Sequence, residues 1–508
     1  MQTSGRKIQI GICSRTPGWE IVLRQTGAPW KEFIFSDFQP VDFSLLIINR
    51  HITGEEYFAL EQFMHNGGTV LHTVLSNKMN GAKKFVTTLL PEQITDVTIN
   101  DLFDIHSSVV MQNTNQLFGF RRINGGIEAF LGIDVESMLT QNKSKRKNFH
   151  ALSRFFPNEI VSLRSKNTLR HYITSVLELL HHQSGLPFIH TWYFPKGEST
   201  IFTFRIDTDK GTKEQIQGIY ELSKKYDIPT TWFLDVKSHE PWLEYFTAFQ
   251  RQEIALHCYE HAAYPSKQLN KDNFEKALTL LRKHALNPKG ITSPTGAWTG
   301  EISAAMDEIG FAYSSEFGYD YDNLPSFPFI NNRFSQVLQL PVHPICIGSL
   351  IRSHSTEEEM KRYFSSLVKT KQELSEPICL YHHPTHGHTG VFENVFEYIN
   401  DHGIRKYSYT EYHRWWIDRM KVQFQATVAD DVVTFDRRDG AGEAWVRISL
   451  PDSREGIFPF QERIDLSSAP LTKRPYSAVR YDYLEKIRSF DARHIAQNLF
   501  DWWIKITE

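Results

Sequence analysis

Residues 201–211 read IFTFRIDTDKG, a segment in which apolar and polar residues alternate with a period of two. That is the period of a β-strand. Phe202, Phe204 and Ile206 fall on one face; Thr203, Arg205 and Asp207 fall on the other, with Asp209 next in phase if the strand persists. One apolar face opposite a face of Arg and Asp is unusual. A buried Arg–Asp pair that merely orders the core would explain it, but carboxylates at the C-terminal end of a strand, entering a Gly-containing loop, are also where α/β enzymes place catalytic groups. Further along, LHCYEHAAYP (256–265) follows EIAL (253–256), which reads as a short strand. His257 and His261 are four residues apart, so on a helical turn they share a face and can grip one ion. With Asp209 they make two imidazoles and one carboxylate, a three-ligand catalytic zinc set with a coordination position open. Cys258 is a possible competing ligand, out of phase with the His pair.

Four further segments follow in order: YDIPTTWFLDV (226–236), Thr292-Ser293-Pro294-Thr295-Gly296, a helical pattern of Ile302, Ala305, Met306 and Ile309 ending at Gly310 before FAYSSE (311–316), and Leu380-Tyr381-His382-His383-Pro384. Together with the DxD and HxxxH segments, these resemble the polysaccharide deacetylases of the NodB-homology type, carbohydrate esterase family four, over about residues 186–415. The resemblance implies a distorted (β/α) barrel. It implies Asp207 as catalytic base and Asp209, His257 and His261 as ligands of one divalent ion, zinc being the natural choice for this donor set. It also implies a backbone N–H near Thr295 for the oxyanion, and His383 as the acid that protonates the departing nitrogen, with His382 as second candidate. The family's third-motif Arg would fall at Thr292 and is absent; Arg205, two residues before Asp207 on the same strand face, is expected to supply the guanidinium instead. Asp320, Asp322 and Trp298 are candidates for a fourth motif. His343, in the Pro-flanked LPVHPICIG (340–348), and Trp298 are candidates to line the substrate cleft. Trp192, Trp232 and Trp298 could stack on sugar, with core packing as the default.

The function so implied is metal-dependent removal of an N-acetyl or related acyl group from an amino sugar or glycan precursor. Two alternatives stand beside it: a non-catalytic carbohydrate-binding protein with a degenerate barrel, and an amidohydrolase on a non-sugar amide.

Ahead of this segment, residues 1–150 alternate strand and helix. Lys7–Cys13 reads as a strand and SLLIIN (44–49) as a strand buried on both faces. Thr53 and Glu56 form a capping box before a helix that Asn66-Gly67-Gly68 ends, and a strand from Thr69 to Val74 follows. Strand–helix–strand order implies a parallel sheet, and the stretch resembles the class I glutamine-amidotransferase-like (flavodoxin-like) fold without that family's nucleophilic Cys. Residues 151–195 read as a helical bridge with a helix around Thr168–His182, 196–420 as the catalytic α/β domain, and 421–508 as a small antiparallel β unit. The last stretch, 481–508, reads as an amphipathic helix.

Composition bounds the rest. A chain of 508 residues exceeds one ordinary core, so two to four domains are expected. Hydrophobic content of 41%, charged content of 23% and a net charge of −3 are those of a globular protein with no polyanion partner. No basic run suggests nucleic acid or a membrane surface, and no run approaches the ~18 apolar residues of a membrane span. The cysteines are Cys13, Cys258, Cys346 and Cys379, with no CxxC pair, which points to a reducing compartment. Cys13, Cys346 and Cys379 sit in apolar, strand-like runs as small hydrophobes. MQTSGRKIQIGIC has no signal-peptide core, so a cytoplasmic protein is expected. The partner expected is a carbohydrate substrate; oligomeric state is left open.

Overall fold

Ile201–Asp207 is a strand buried at all seven residues, because it lies inside a parallel sheet covered on both sides. The computed structural model describes residues 5–73, 118–123, 125–439, 443–473 and 499. These fall into two compact units, one drawn from 1–141, 164–197 and 415–478, the other from 142–163, 198–414 and 479–508.

In the second unit the eight-stranded sheet runs Leu338–Gln339, Tyr313–Ser314, Gly290–Ile291, Glu253–Cys258, Thr231–Asp235, Ile201–Asp207, Ile378–His382, with Arg405–Lys406 also paired to Ile201–Asp207. Every pairing is parallel. The apolar face of Ile201–Asp207 looks toward the helix Thr389–Asp401, where Phe204 meets Phe392 and Phe396 with ring centroids 4.8 and 5.0 Å apart. The His343 N–H donates to the Cys379 carbonyl at 2.9 Å, joining the chain after Leu338–Gln339 to the strand Ile378–His382. A single bond where a ladder would stand makes this a distorted (β/α) barrel. The helices Lys213–Lys225 and Glu357–Glu373 each start at a capping box, and Gly300–Ile309 ends at Gly310 with φ 83°. The hairpin Ser144–Asn148/Asn158–Ser162 falls in this unit too.

The first unit has a sheet in the order Trp30–Glu32, Ile10–Ile12, Leu45–Ile48, Thr69–His72, Gly126–Leu131, Phe118–Ile123, parallel except for its last pair. This is a doubly wound order. The Thr53/Glu56 capping box starts the helix Gly54–His65. The helix Lys166–Gln183 delivers Leu169, Ile173, Val176 and Leu180 into the same core as Ile10, Leu45 and Leu71. It is a core helix of this unit, where the sequence suggested a bridge.

The expected strand Lys7–Cys13 is two strands in two sheets. Arg6–Ile8 pairs antiparallel with Gln423–Ala429, and Ile10–Ile12 joins the parallel sheet. The C-terminal β strands form two four-stranded antiparallel sheets, one completed by Arg6–Ile8 and the other by Phe188–Thr191. Ile8, Ile189, Phe424, Val433, Val446 and Phe458 share their core. Residues 423–473 therefore supply six of the eight strands of a sandwich whose other two come from elsewhere in the chain. Among the described residues no helix is long and apolar enough to cross a membrane. The helix expected over 481–508 lies outside the described residues, Leu499 apart.

Candidate metal centre

Asp209 stands two residues past the end of Ile201–Asp207, in a turn that its neighbours fix. The Thr208 N–H donates to the Phe233 carbonyl at 3.0 Å, its hydroxyl accepts from the Asp235 N–H at 2.9 Å, and the Gly211 N–H closes back on the Thr208 carbonyl at 2.8 Å. The turn is thus pinned to the adjacent strand Thr231–Asp235, and Asp209 projects at the C-terminal edge of the sheet. His257 is the penultimate residue of Glu253–Cys258. Its Nδ1 donates to the Thr292 carbonyl at 2.8 Å, which fixes the tautomer and leaves Nε2 with a lone pair. That Nε2 lies 3.1 Å from Asp209 Oδ1. His261 follows in a bend, not on the helical turn that the spacing suggested. Asn273 Oδ1 accepts from the N–H groups of Tyr259 and Glu260 at 3.2 and 2.7 Å, holding the bend so that His261 Nε2 comes 3.2 Å from Asp209 Oδ2.

One ligand atom from each of Asp209, His257 and His261 lies within 4.8 Å of the others. Asp209 Oδ1 and His257 Nε2 are buried, and despite their proximity neither makes a hydrogen bond of acceptable geometry. Two orphaned buried acceptors and the His261 imidazole converging on one point fit a divalent cation in chemistry and in spacing. Burial opposes the charge on Asp209, but the facing imidazoles of His257, His261 and His383 outweigh it and hold the carboxyl well below its ordinary range.

Beside this centre, Arg205 Nη2 donates to Asp207 Oδ2 at 3.0 Å and Nη1 donates to the Ser315 carbonyl at 2.5 Å. The guanidinium carbon sits 5.0 and 5.4 Å from the ring centroids of Tyr381 and Phe233. Burial works against the Arg205 charge, yet the Asp207 carboxylate more than offsets it and the pKa is raised. Thr292, at the position of the missing third-motif Arg, donates its hydroxyl to the same Ser315 carbonyl at 2.9 Å. With Oδ2 tied to Arg205, Asp207 Oδ1 is left buried and unpartnered.

Of the two histidines at the end of Ile378–His382, His383 reaches the centre, its Nε2 3.4 Å from Asp209 Oδ2. His382 is on the opposite strand face, buried against Phe392 at 4.9 Å. Burial disfavours the charged form of His383, but the Asp209 carboxylate and the Cys346 thiol beside it prevail and push the pKa up to about 10.

Other candidates fall away from the centre. His343 does not line a cleft. It is 1% exposed, its Nδ1 is bonded to the Asp322 carboxylate at 2.8 Å and its Nε2 to the Tyr363 hydroxyl at 2.8 Å, and Lys371 also reaches Asp322. A buried ring with both nitrogens engaged has nothing left for substrate. Trp298 is buried against Tyr319 at 4.8 Å, as core packing predicts. Asp320 accepts from Asn323 and the Tyr321 N–H, and with Asp322 it belongs to buried polar networks. Thr295 is exposed on the loop after Gly290–Ile291, with φ 57°. Cys346 caps the short helix Ile347–Arg352 rather than sitting in a strand. It groups with His383 and His386, a convergence from distant segments that no local spacing in the sequence announces.

No family model matches the chain, and no curated protein does. Among solved structures it is similar to a probable polysaccharide deacetylase from Pseudomonas aeruginosa PAO1, at 14% identity, TM-score 0.38, covering 44% of this chain and 93% of that one. It is similar to Puue allantoinase at 14% identity, TM-score 0.38, covering 44% and 92%. It is also similar to a CE4 family pseudoenzyme from Bacillus anthracis at 13% identity, TM-score 0.31, covering 55% and 93%. A likeness at this level assigns no activity; the chemistry has to come from the side chains.

Proposed function

We propose that the barrel unit is a metal-dependent hydrolase that removes an N-acetyl or related acyl group from an amino sugar or glycan precursor. The observation that carries this reading is the juxtaposition of a three-ligand set, Asp209, His257 and His261, with a carboxylate that has one oxygen tied to a buried guanidinium and the other free. A divalent ion held there supplies Lewis acidity toward the acyl carbonyl and toward water. Asp207 Oδ1 accepts the proton of the attacking water, whose oxygen bonds to the acyl carbon. Arg205, bonded to Oδ2, aims the Asp207 carboxylate. His383, protonated at neutral pH by virtue of its raised pKa, gives its proton to the amine nitrogen as the C–N bond breaks. Acid and base are thus two separate groups, as opposite proton transfers in one hydrolysis require. Zinc is the ion this donor set favours, and the Thr295 N–H is the oxyanion donor in this reading.

The test is acetate release by the full-length, zinc-reconstituted protein from N-acetylated amino sugars, free and nucleotide-linked, alongside the metal content. Release that needs zinc and vanishes in His257→Ala/His261→Ala supports the reading. Zinc bound at this centre with no acetate released, but with sugar retained, shifts the barrel to a carbohydrate-binding role. No zinc bound even after reconstitution removes the metallohydrolase altogether.

A further inference from the structure

A second cluster adjoins the first. One nitrogen each of His383 and His386 and the Cys346 sulfur lie within 4.8 Å of one another. Cys346 comes from the loop that enters Ile347–Arg352, and the two histidines flank the turn Pro384–His386, so three side chains from two distant segments meet. The His383 Nδ1 and His386 Nδ1 atoms are buried and have no hydrogen-bond partner. The sulfur of Cys346, a residue 3% exposed, faces both histidines and has the Ser349 hydroxyl at 3.8 Å. Unsatisfied buried polar atoms cost about 1–3 kcal/mol each, so two side by side are an expensive arrangement for a site with no ligand. Gly348 helps to make the space: a Cβ there would come within 2.3 Å of the His386 ring.

We propose that Cys346, His383 and His386 form a second metal site that takes a thiolate-preferring divalent ion, zinc above all. A thiolate with two imidazoles is a zinc donor set of the three-ligand kind, leaving the fourth position to solvent or a ligand. Its chemistry differs from that of the carboxylate–imidazole centre, so the two sites are distinguishable. His383 adjoins both: its Nε2 lies 3.4 Å from Asp209 Oδ2, which leaves the buried, unpartnered Nδ1 for the second ion. An ion on Nδ1 would leave His383 neutral, with its one proton on Nε2 toward Asp209, so the ring would serve as the proposed acid only while the second site is empty. The existence of the second site does not depend on what the barrel hydrolyses.

The experiment is a titration of the metal-stripped, full-length protein with cobalt(II), read by absorption and by bound metal. The wild type is expected to take two equivalents, one of them bringing a sulfur-to-cobalt charge-transfer band in the near ultraviolet. Cys346→Ser is expected to lose that band and one equivalent while keeping the other, and His386→Ala to weaken binding of the same equivalent at least tenfold. His257→Ala/His261→Ala is expected to lose one equivalent and keep the band. A wild type that binds one equivalent without the band overturns the proposal, as does a band that survives in Cys346→Ser. If Cys346→Ser fails to fold, the wild-type titration and His386→Ala still decide. A band that persists when the His257/His261 variant binds no less metal than wild type leaves this site standing and removes the first.

Discussion

The Arg205–Asp207 pair shows how much of the site one residue can carry. Both side chains are buried, and each is the other's charge partner. Breaking a buried pair by removing one member costs about 3–5 kcal/mol, because the remaining charge is left uncompensated. Arg205→Ala is therefore expected to lower unfolding free energy by roughly that amount in urea titration; a change below about 1 kcal/mol would show that the pair is solvated after all. Asp207→Asn keeps the shape and removes the proton acceptor. Assayed well below its melting temperature, it is expected to lower kcat by about 10²–10⁴, the usual worth of a general base, with metal content unchanged. Equal loss of metal and of kcat would instead make Asp207 a ligand. Asp209, His257, His261 and His383 were legible because their motifs are local runs of a few residues. His343 and Trp298 were misread because the same local sequence serves a cleft or a core, and only burial and partners distinguish the two. Cys346 was taken for a small hydrophobe since nothing near it in the chain names its histidines.

At the scale of the element, the pattern of alternating residues points to the strand Ile201–Asp207, and the Thr53/Glu56 capping box to the start of the helix Gly54–His65. Two things escaped. The run Lys7–Cys13, with Ile8, Ile10 and Ile12 in alternation, reads as one strand, yet it divides at Gln9 between two sheets, a choice made by partners far along the chain. His257 and His261 share a helical spacing, but the chain between them bends, held by Asn273 from the following helix. The barrel's shortest strands are the place to test element packing. In Gly290–Ile291, a Cβ on Gly290 would come within 1.9 Å of the Tyr313 ring. Tyr313 cannot easily give way, because its hydroxyl is bonded to Glu253 and its ring lies 5.9 Å from that of Tyr409. Gly290→Ala is expected to cost about 1–3 kcal/mol by overpacking, seen as a lower urea midpoint. An unchanged midpoint would mean that Tyr313 has room to move.

The first unit is composite at the scale of the whole molecule, and its makeup carries a pH dependence. Its antiparallel sandwich takes strands from residues 6–8, 188–191 and 423–473, so no window of sequence could have disclosed it. The same unit buries two histidines in neutral form. His181 bonds through Nδ1 to the Leu177 carbonyl at 2.8 Å and through Nε2 to the Ser44 hydroxyl at 3.0 Å. Burial pushes its pKa down to about 4. His190 lies opposite Arg447 in the register of two strands. Burial first, then the Arg447 charge, lowers its pKa to about 3. Both groups have their ordinary value, 6.5, in the unfolded chain. Between that pH and the folded values, the unfolded chain binds protons that the folded chain refuses. Stability is therefore fully present above 6.5 and falls as the pH drops toward 4, by about 1.4 kcal/mol per pH unit for each histidine. Carboxylates add little in this window, since their unfolded values lie near 4. His190→Gln, which cannot be protonated, is expected to flatten the wild-type fall in unfolding free energy between pH 6.5 and 4.5 by about 1.4 kcal/mol per unit. The measurement is urea unfolding across that range. Parallel curves for variant and wild type would mean that His190 is hydrated in the folded protein, and the sandwich would then be looser than its core residues imply.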